Sequence, residues 1–159
     1  MDTFVIFLIL SLFILLTVSL RSIPMDGYGV LEQWGKIHII YQKPGIHFVI
    51  PLVQSMYLYD KHTTLEFNRV LLESDNRFKM RATLRILHEI MDIKLYHTMV
   101  KDTSLHVDLL KVMQEFVSAC QWDPNHLKND LNQYLSTHFE KSNYPFKVQK
   151  IEIIELELV

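Results

Sequence analysis

Residues Thr3–Leu20, TFVIFLILSLFILLTVSL, contain no charge, proline or glycine. No other stretch limits the possible folds as strongly, because a segment apolar on every side has to be covered by protein or by lipid. As a helix rising ~1.5 Å per residue it would reach roughly 27 Å, close to a bilayer hydrocarbon core of about 30 Å. A cleaved signal peptide would carry Lys or Arg before the apolar run and a small-residue cleavage site after it. Only Met1-Asp2 precede this run, and Thr17-Val18-Ser19 is a poor cleavage site. The expectation is a retained anchor over residues 1–21 that makes the chain a single-pass membrane protein. Asp2 before the run and Arg21 after it would leave the domain cytoplasmic by the positive-inside rule, but one arginine does not fix the side.

Residues 22–159 are the right length for one domain. The net charge of −2, from 16 basic and 18 acidic residues, is too balanced for binding driven by nucleic-acid phosphates. Cys120 is the only cysteine, so no internal disulfide forms. Residues 28–89 read as β: YGVLEQWGK and IHIIY flank a Gly-Lys break, a hairpin signal. Pro44-Gly45 fits a type II turn into IHFVI, which Pro51 ends. Strands follow over Met56–Asp60 and Leu65–Leu72. In Arg77–Leu87, Phe78, Met80, Ala82, Leu84 and Ile86 alternate with Arg77, Lys79, Arg81, Thr83 and Arg85, so one face is buried and one wet.

Beyond Glu89 the period becomes helical. A short helix over Ile93–Val100 is followed by one starting at Ser104, an N-cap, with Leu105, Leu109, Val112, Phe116 and Cys120 on one face. Asp123-Pro124 marks the start of a third helix carrying Leu127, Leu131, Leu135 and Phe139. FKVQKIEIIELELV closes the chain as a strand whose alternation slips at Ile153-Ile154, the mark of a bulge. A last strand that returns to the earlier sheet makes the domain α+β, an antiparallel-rich sheet with two to three packed helices.

No catalytic set is found, so the chain is not expected to be an enzyme, and no cofactor or metal is expected. HEIMD, His88–Asp92, has half of a zinc-protease motif but Asp92 where the second histidine belongs. The eight histidines show no pairing at ligand spacing. Cys120 has no cationic neighbour and reads as a buried structural residue. Two features ask for more than a core. Arg77, Lys79, Arg81 and Arg85 form a basic strand face, either paired with Glu152, Glu155 and Glu157 or open to anionic lipid or a partner. Ile46, Phe48 and Ile50 follow the Pro-Gly turn close to the anchor, where they face lipid, core or both; the reading favoured is a hairpin with its turn near the membrane.

The stretch Gly27–Asp60 resembles the start of an SPFH, or band 7, domain, the family of stomatins, prohibitins and flotillins. Gly29, Val30, Gly35, Lys36, Pro44, Gly45, His47, Phe48, Pro51, Tyr59 and Asp60 match its pattern in order and approximate spacing. The resemblance extends to Val159, placing the domain at residues 22–159, and departs from the family in lacking the long helix or coiled coil that usually follows. It implies a non-catalytic scaffold that oligomerises in the bilayer and organises or regulates membrane proteins. The implied partners are membrane lipids, copies of itself or related SPFH proteins, and an integral-membrane protease or channel. The alternative is a truncated competitor that inserts into and modulates a full-length SPFH assembly.

Overall fold

The computed structural model describes residues 3–73, 79–119 and 126–158. In chain order the elements are α1 (Thr3–Ser19), β1 (Leu20–Ile23), β2 (Gly27–Gln33), β3 (Lys36–Tyr41), β4 (Gly45–Phe48), β5 (Gln54–Asp60), β6 (His62–Glu73), β7 (Lys79–Ile90), α2 (Ile93–Lys101), α3 (Ser104–Ala119), α4 (Leu127–Lys141) and β8 (Phe146–Leu158). They fall into two compact units, Met1–Lys61 and His62–Val159. Every strand pairing is antiparallel, so the fold is the expected α+β type, with four helices among the described residues.

The apolar run forms α1, but the helix is shorter than expected. It has 17 residues and stops at Ser19, because Leu20 leaves the helix to pair with Phe48 in β1. At ~1.5 Å per residue that is about 25 Å. Among the described residues no helix is long and apolar enough to cross a membrane, which corrects the expectation of a full transmembrane span. Apart from Ser19, no residue of α1 is buried. The hydroxyls of Ser11, Thr17 and Ser19 donate to the carbonyls of Leu8, Ile14 and Leu15, so these polar groups are satisfied within the helix itself.

The first unit holds two sheets, β1-β4 and β3-β2-β5. Gly29 is needed where they meet: a Cβ there would lie 2.5 Å from Ile23 Cδ1. Beside it on β2, Val30 and Leu31 are buried.

The second unit is the sheet β6-β7-β8 with α2, α3 and α4 on one face. The alternation read in β7 holds, with Met80, Ala82, Leu84, Ile86, His88 and Ile90 buried. Its neighbours keep their apolar residues on that face only by changing phase, since a one-residue slip would turn every side chain over. In β6, Phe67 opposes Leu84 but Val70 opposes Ala82, so Asn68 and Arg69 together face Thr83. Arg69 takes φ 50°, and its N–H bonds Thr83 Oγ1 at 3.2 Å. β8 changes phase twice, at Ile154 as expected and also at Gln149.

The helices bury most of the faces read from sequence, with Phe139 on α4 only half-buried. Leu105, Leu109, Val112, Met113, Phe116 and Val117 are buried on α3, and Leu127, Leu131 and Leu135 on α4. Two capping details differ. Ser104 does not cap α3, its hydroxyl donating instead to Met99 O at 3.3 Å. Asp92 does cap α2, accepting from Leu95 N–H at 3.0 Å. Cys120, Asp123-Pro124, Arg77 and Phe78 lie outside the described residues.

Candidate membrane-facing site

The site is built where α1 enters the first unit. β1 continues directly from α1 and pairs with β4 in the register Leu20–Phe48, Arg21–His47, Ser22–Ile46 and Ile23–Gly45. The chain then stays close to the helix end, since Val49 N–H donates to Ser19 O at 2.8 Å. A turn follows in which Gln54 N–H bonds Ile50 O and the Gln54 side chain accepts from Ile50 N–H, both at 2.9 Å. Gln54 opens β5 opposite Gln33, the last residue of β2.

Ile46 and Phe48 share one face of β4 and are 72% and 55% exposed, and Ile50 is also exposed. His47 points the other way and lies against Tyr41 with ring centroids 4.0 Å apart. Its Nε2 is buried and has no hydrogen-bond partner among the described residues. The ladder runs opposite to the favoured reading. Pro44-Gly45 sits at the Ile23 end, away from α1, whereas Phe48 and the turn after it lie beside α1. Gly45 takes φ 149°, outside the range of a type II turn and in a region essentially reserved for glycine.

The SPFH domain / Band 7 family model matches residues 21–140. The chain belongs to the SPFH/Band 7 family. No curated protein matches it significantly. SPFH proteins are membrane-associated scaffold or regulatory proteins that oligomerise and are generally non-catalytic.

The family-motif residues of this SPFH domain have local roles. Gly35, at φ 75°, lies in the β2–β3 turn, with Lys36 exposed at the start of β3. Pro51 follows the short strand β4, and Asp60 ends β5 opposite Gly27. Burial raises the Tyr59 phenol above its ordinary pKa, reinforced by Tyr57 and Glu32.

The basic face of β7 is matched by acids on both flanking strands. Lys79 Nζ meets Glu73 at 2.7 Å, and Arg85 Nε meets Glu66 Oε1 at 2.9 Å. Arg81 opposes Glu157, Thr83 opposes Glu155 and Arg85 opposes Glu152. Glu152 is held below the usual carboxylate range by its hydrogen bond to Lys150 and by that lysine's charge, with Arg85 adding to it. These charges lie on an exposed face and pair with one another more than they project an unmatched positive field.

The residues of HEIMD also go to structural roles. His88 is fully buried, its Nδ1 3.1 Å from Ile86 O and its Nε2 3.1 Å from the Tyr96 hydroxyl. With the ring proton on Nδ1, the imidazole donates to the carbonyl and accepts from the tyrosine, so the neutral ring is satisfied at both nitrogens. Among the described residues, no three His, Cys, Asp or Glu side chains converge as metal ligands.

Sequence reading missed β1, Leu52 and Trp34. LRSI carries no strand alternation, and the exposure of the other two depends on turn conformations that composition does not reveal. The available signal was the position of Trp34 immediately before Gly35, inside a hairpin turn.

Proposed function

We propose that this chain is a membrane-held SPFH scaffold, anchored through residues 1–21 and carrying its domain at residues 22–159. It assembles with copies of itself or with related SPFH proteins, and organises or regulates integral-membrane proteins such as a membrane-bound protease or channel. The observation that supports it best is α1, which is apolar and exposed around its whole circumference and runs without a break into a strand paired with Phe48. A helix of that kind is unfavourable in water, and the hydroxyls of Ser11, Thr17 and Ser19 are already satisfied within it, as a hydrocarbon environment requires. Its length of about 25 Å falls a few ångströms short of a typical hydrocarbon core of about 30 Å, so the reading asks only that α1 be embedded in lipid.

Ile46, Phe48 and Ile50 extend the apolar surface from the helix end onto the domain, and in this reading they lie on the lipid. The chemistry needed is only adhesion, and no reaction is assigned. Confinement to a bilayer raises the effective concentration of neighbouring copies, so modest domain contacts suffice for assembly.

The test is membrane fractionation and native sizing of the full chain beside a form lacking residues 1–21. The full chain is expected in the membrane fraction as large oligomers, or bound to an integral-membrane partner. In the shortened form, Phe48→Asp is expected to lower residual vesicle binding several-fold, since it removes a partly inserted aromatic ring. A full chain that is strictly monomeric and partnerless in native membranes would sink the scaffold reading. A shortened form that ignores vesicles with Phe48 intact would confine lipid contact to α1.

A further inference from the structure

β7 is paired on both sides, so the sheet of the second unit ends in two edges, β6 and β8. An edge strand presents unpaired N–H and C=O groups, which a protein either blocks or uses. At β6 a side chain does the blocking. The amide of Gln114 on α3 accepts from Glu73 N–H at 3.1 Å and donates to Glu73 O, standing in for a neighbouring strand. β8 differs. Met91 N–H donates to Pro145 O at 2.9 Å, which sets the alternation of the ladder. Phe146 opposite Ile90 and Val148 opposite His88 are then the non-bonded pairs, so their N–H and C=O turn away from β7. Among the described residues no side chain or loop takes up these groups. A groove of about 700 Å³ runs beside them, walled by Phe146, Val148 and Ile151 on β8 and Phe139 on α4.

The charges of β8 divide along its length. Lys147 and Lys150 come first, and Glu152, Glu155 and Glu157 follow. All five share the face away from the helices, since they oppose Glu89, Leu87, Arg85, Thr83 and Arg81 on the outer face of β7. A strand positive in one half and negative in the other is complementary to its own reverse. Laid antiparallel with Ile151 opposite Ile151 of a second copy, Lys147 meets Glu155 and Lys150 meets Glu152, each pair occurring twice. The bulges follow the same symmetry. Gln149 and Ile154 have no partner on β7, and they fall in the intervals Lys147–Lys150 and Glu152–Glu155, which would lie side by side. Two residues separate the charges in each interval, so both faces stay in step across the junction. Ile154, 49% exposed, would stand opposite Val148, and Leu156 opposite Phe146 at the groove.

We propose that β8 is a two-fold interface between copies of this chain, joining two three-stranded sheets edge to edge into one of six strands. It rests on the self-assembly proposed for the scaffold and names the surface that carries it. The symmetry makes a closed pair, which other surfaces would link into anything larger. Lys150 also meets Glu152 of its own strand at 2.6 Å, so Lys147 and Glu155 give the cleaner test. Within one chain they lie eight residues apart along the strand, about 26 Å, beyond a zero-length crosslink. The full chain in detergent, treated with a carbodiimide and digested, should yield a linked Lys147–Glu155 peptide from the dimer band. Lys147→Glu and Glu155→Lys should each lower the dimer fraction in sedimentation roughly five-fold, because the two-fold axis turns one reversal into two like-charge pairs. An equimolar mixture of the two variants should restore the dimer, and so should the double variant, which misfolded chains would not do. Losses that neither restores overturn the proposal. An oligomer that lacks the linked peptide and ignores both reversals overturns this interface alone, as does a dimer that needs an added protein. A chain that is monomeric in detergent and in native membranes overturns both the interface and the self-assembly behind it.

Discussion

Leu10 and Leu12 flank Ser11, the middle residue of the 17-residue helix α1, and both are exposed. Two residues apart on a helix of 3.6 residues per turn, they point about 200° apart around the axis, so a single groove on a partner could not shelter both. At the centre of a membrane helix Leu contributes about −0.5 kcal/mol and Arg costs about 3 kcal/mol, so each exchange is unfavourable by about 3.5 kcal/mol. The pair sums to about 7 kcal/mol, which snorkelling in a short helix reduces to about 4 kcal/mol. That still lowers the membrane-to-water partition about 10³-fold, at 1.4 kcal/mol per decade. Alkaline carbonate extraction of membranes containing Leu10→Arg/Leu12→Arg should therefore release the protein, whereas Leu10→Phe/Leu12→Phe should stay in the pellet. Circular dichroism of the released protein should retain the β-rich domain signal, because no residue of α1 except Ser19 is buried. Equal retention of the double-arginine form and the native chain would refute the argument that α1 lies in lipid.

The remaining predictions concern the fold. Gly29→Val should destabilise the first unit by about 2–4 kcal/mol in a urea titration, because a Cβ at 2.5 Å from Ile23 Cδ1 forces β1 away from β2. Leu84→Ala, fully buried between Phe67 and Ile153 in the register, should cost about 2–5 kcal/mol, whereas Arg85→Ala at the half-exposed pair with Glu66 should cost under about 1 kcal/mol. His88 makes the fold acid-sensitive: burial lowers its pKa, the Ile86 carbonyl pulling partly the other way. The unfolded chain then binds the proton more readily, so this contribution is complete above about pH 6.5 and is lost as pH falls from there to the lowered folded value, with a slope of at most about 1.4 kcal/mol per pH unit. Urea midpoints compared for the native protein and His88→Gln across that window should show the slope only in the former.

Sequence singled out Ile46, Phe48 and Ile50, which are exposed and close to the end of α1, because they follow a Pro-Gly turn near an apolar run. It did not mark Trp34 or Leu52. Read in isolation, an aromatic in a strand-like stretch belongs to the core, and its exposure here follows from the two-residue connection fixed by the pairing of Gln33 with Lys36. The basic face of β7 was legible as a face, and Glu152, Glu155 and Glu157 of β8 stand in register opposite Arg85, Thr83 and Arg81. Glu66 and Glu73 on β6 were not legible as its partners, because their approach depends on which strand lies on the other side of β7.

By itself the sequence determined what short-range periodicity and backbone chemistry control: the apolar helix, the alternation of β7, the buried faces of α3 and α4, the slip at Ile153-Ile154, and the ordered Gly, Pro-Gly and His-Phe motif that places the chain among SPFH proteins. Each of these is written within a few residues of itself. The tertiary structure decided what depends on distant partners. Pairing with Phe48 ended α1 at Ser19 and made a strand of LRSI. The straight alternation of β7 set the face to which β6 and β8 had to conform, so Asn68-Arg69 and Gln149 became bulges with no local signal of their own. The direction of the β1-β4 ladder put Phe48 beside the helix and the Pro-Gly turn away from it. Register is a relation between two strands, and a period read along one of them cannot contain it.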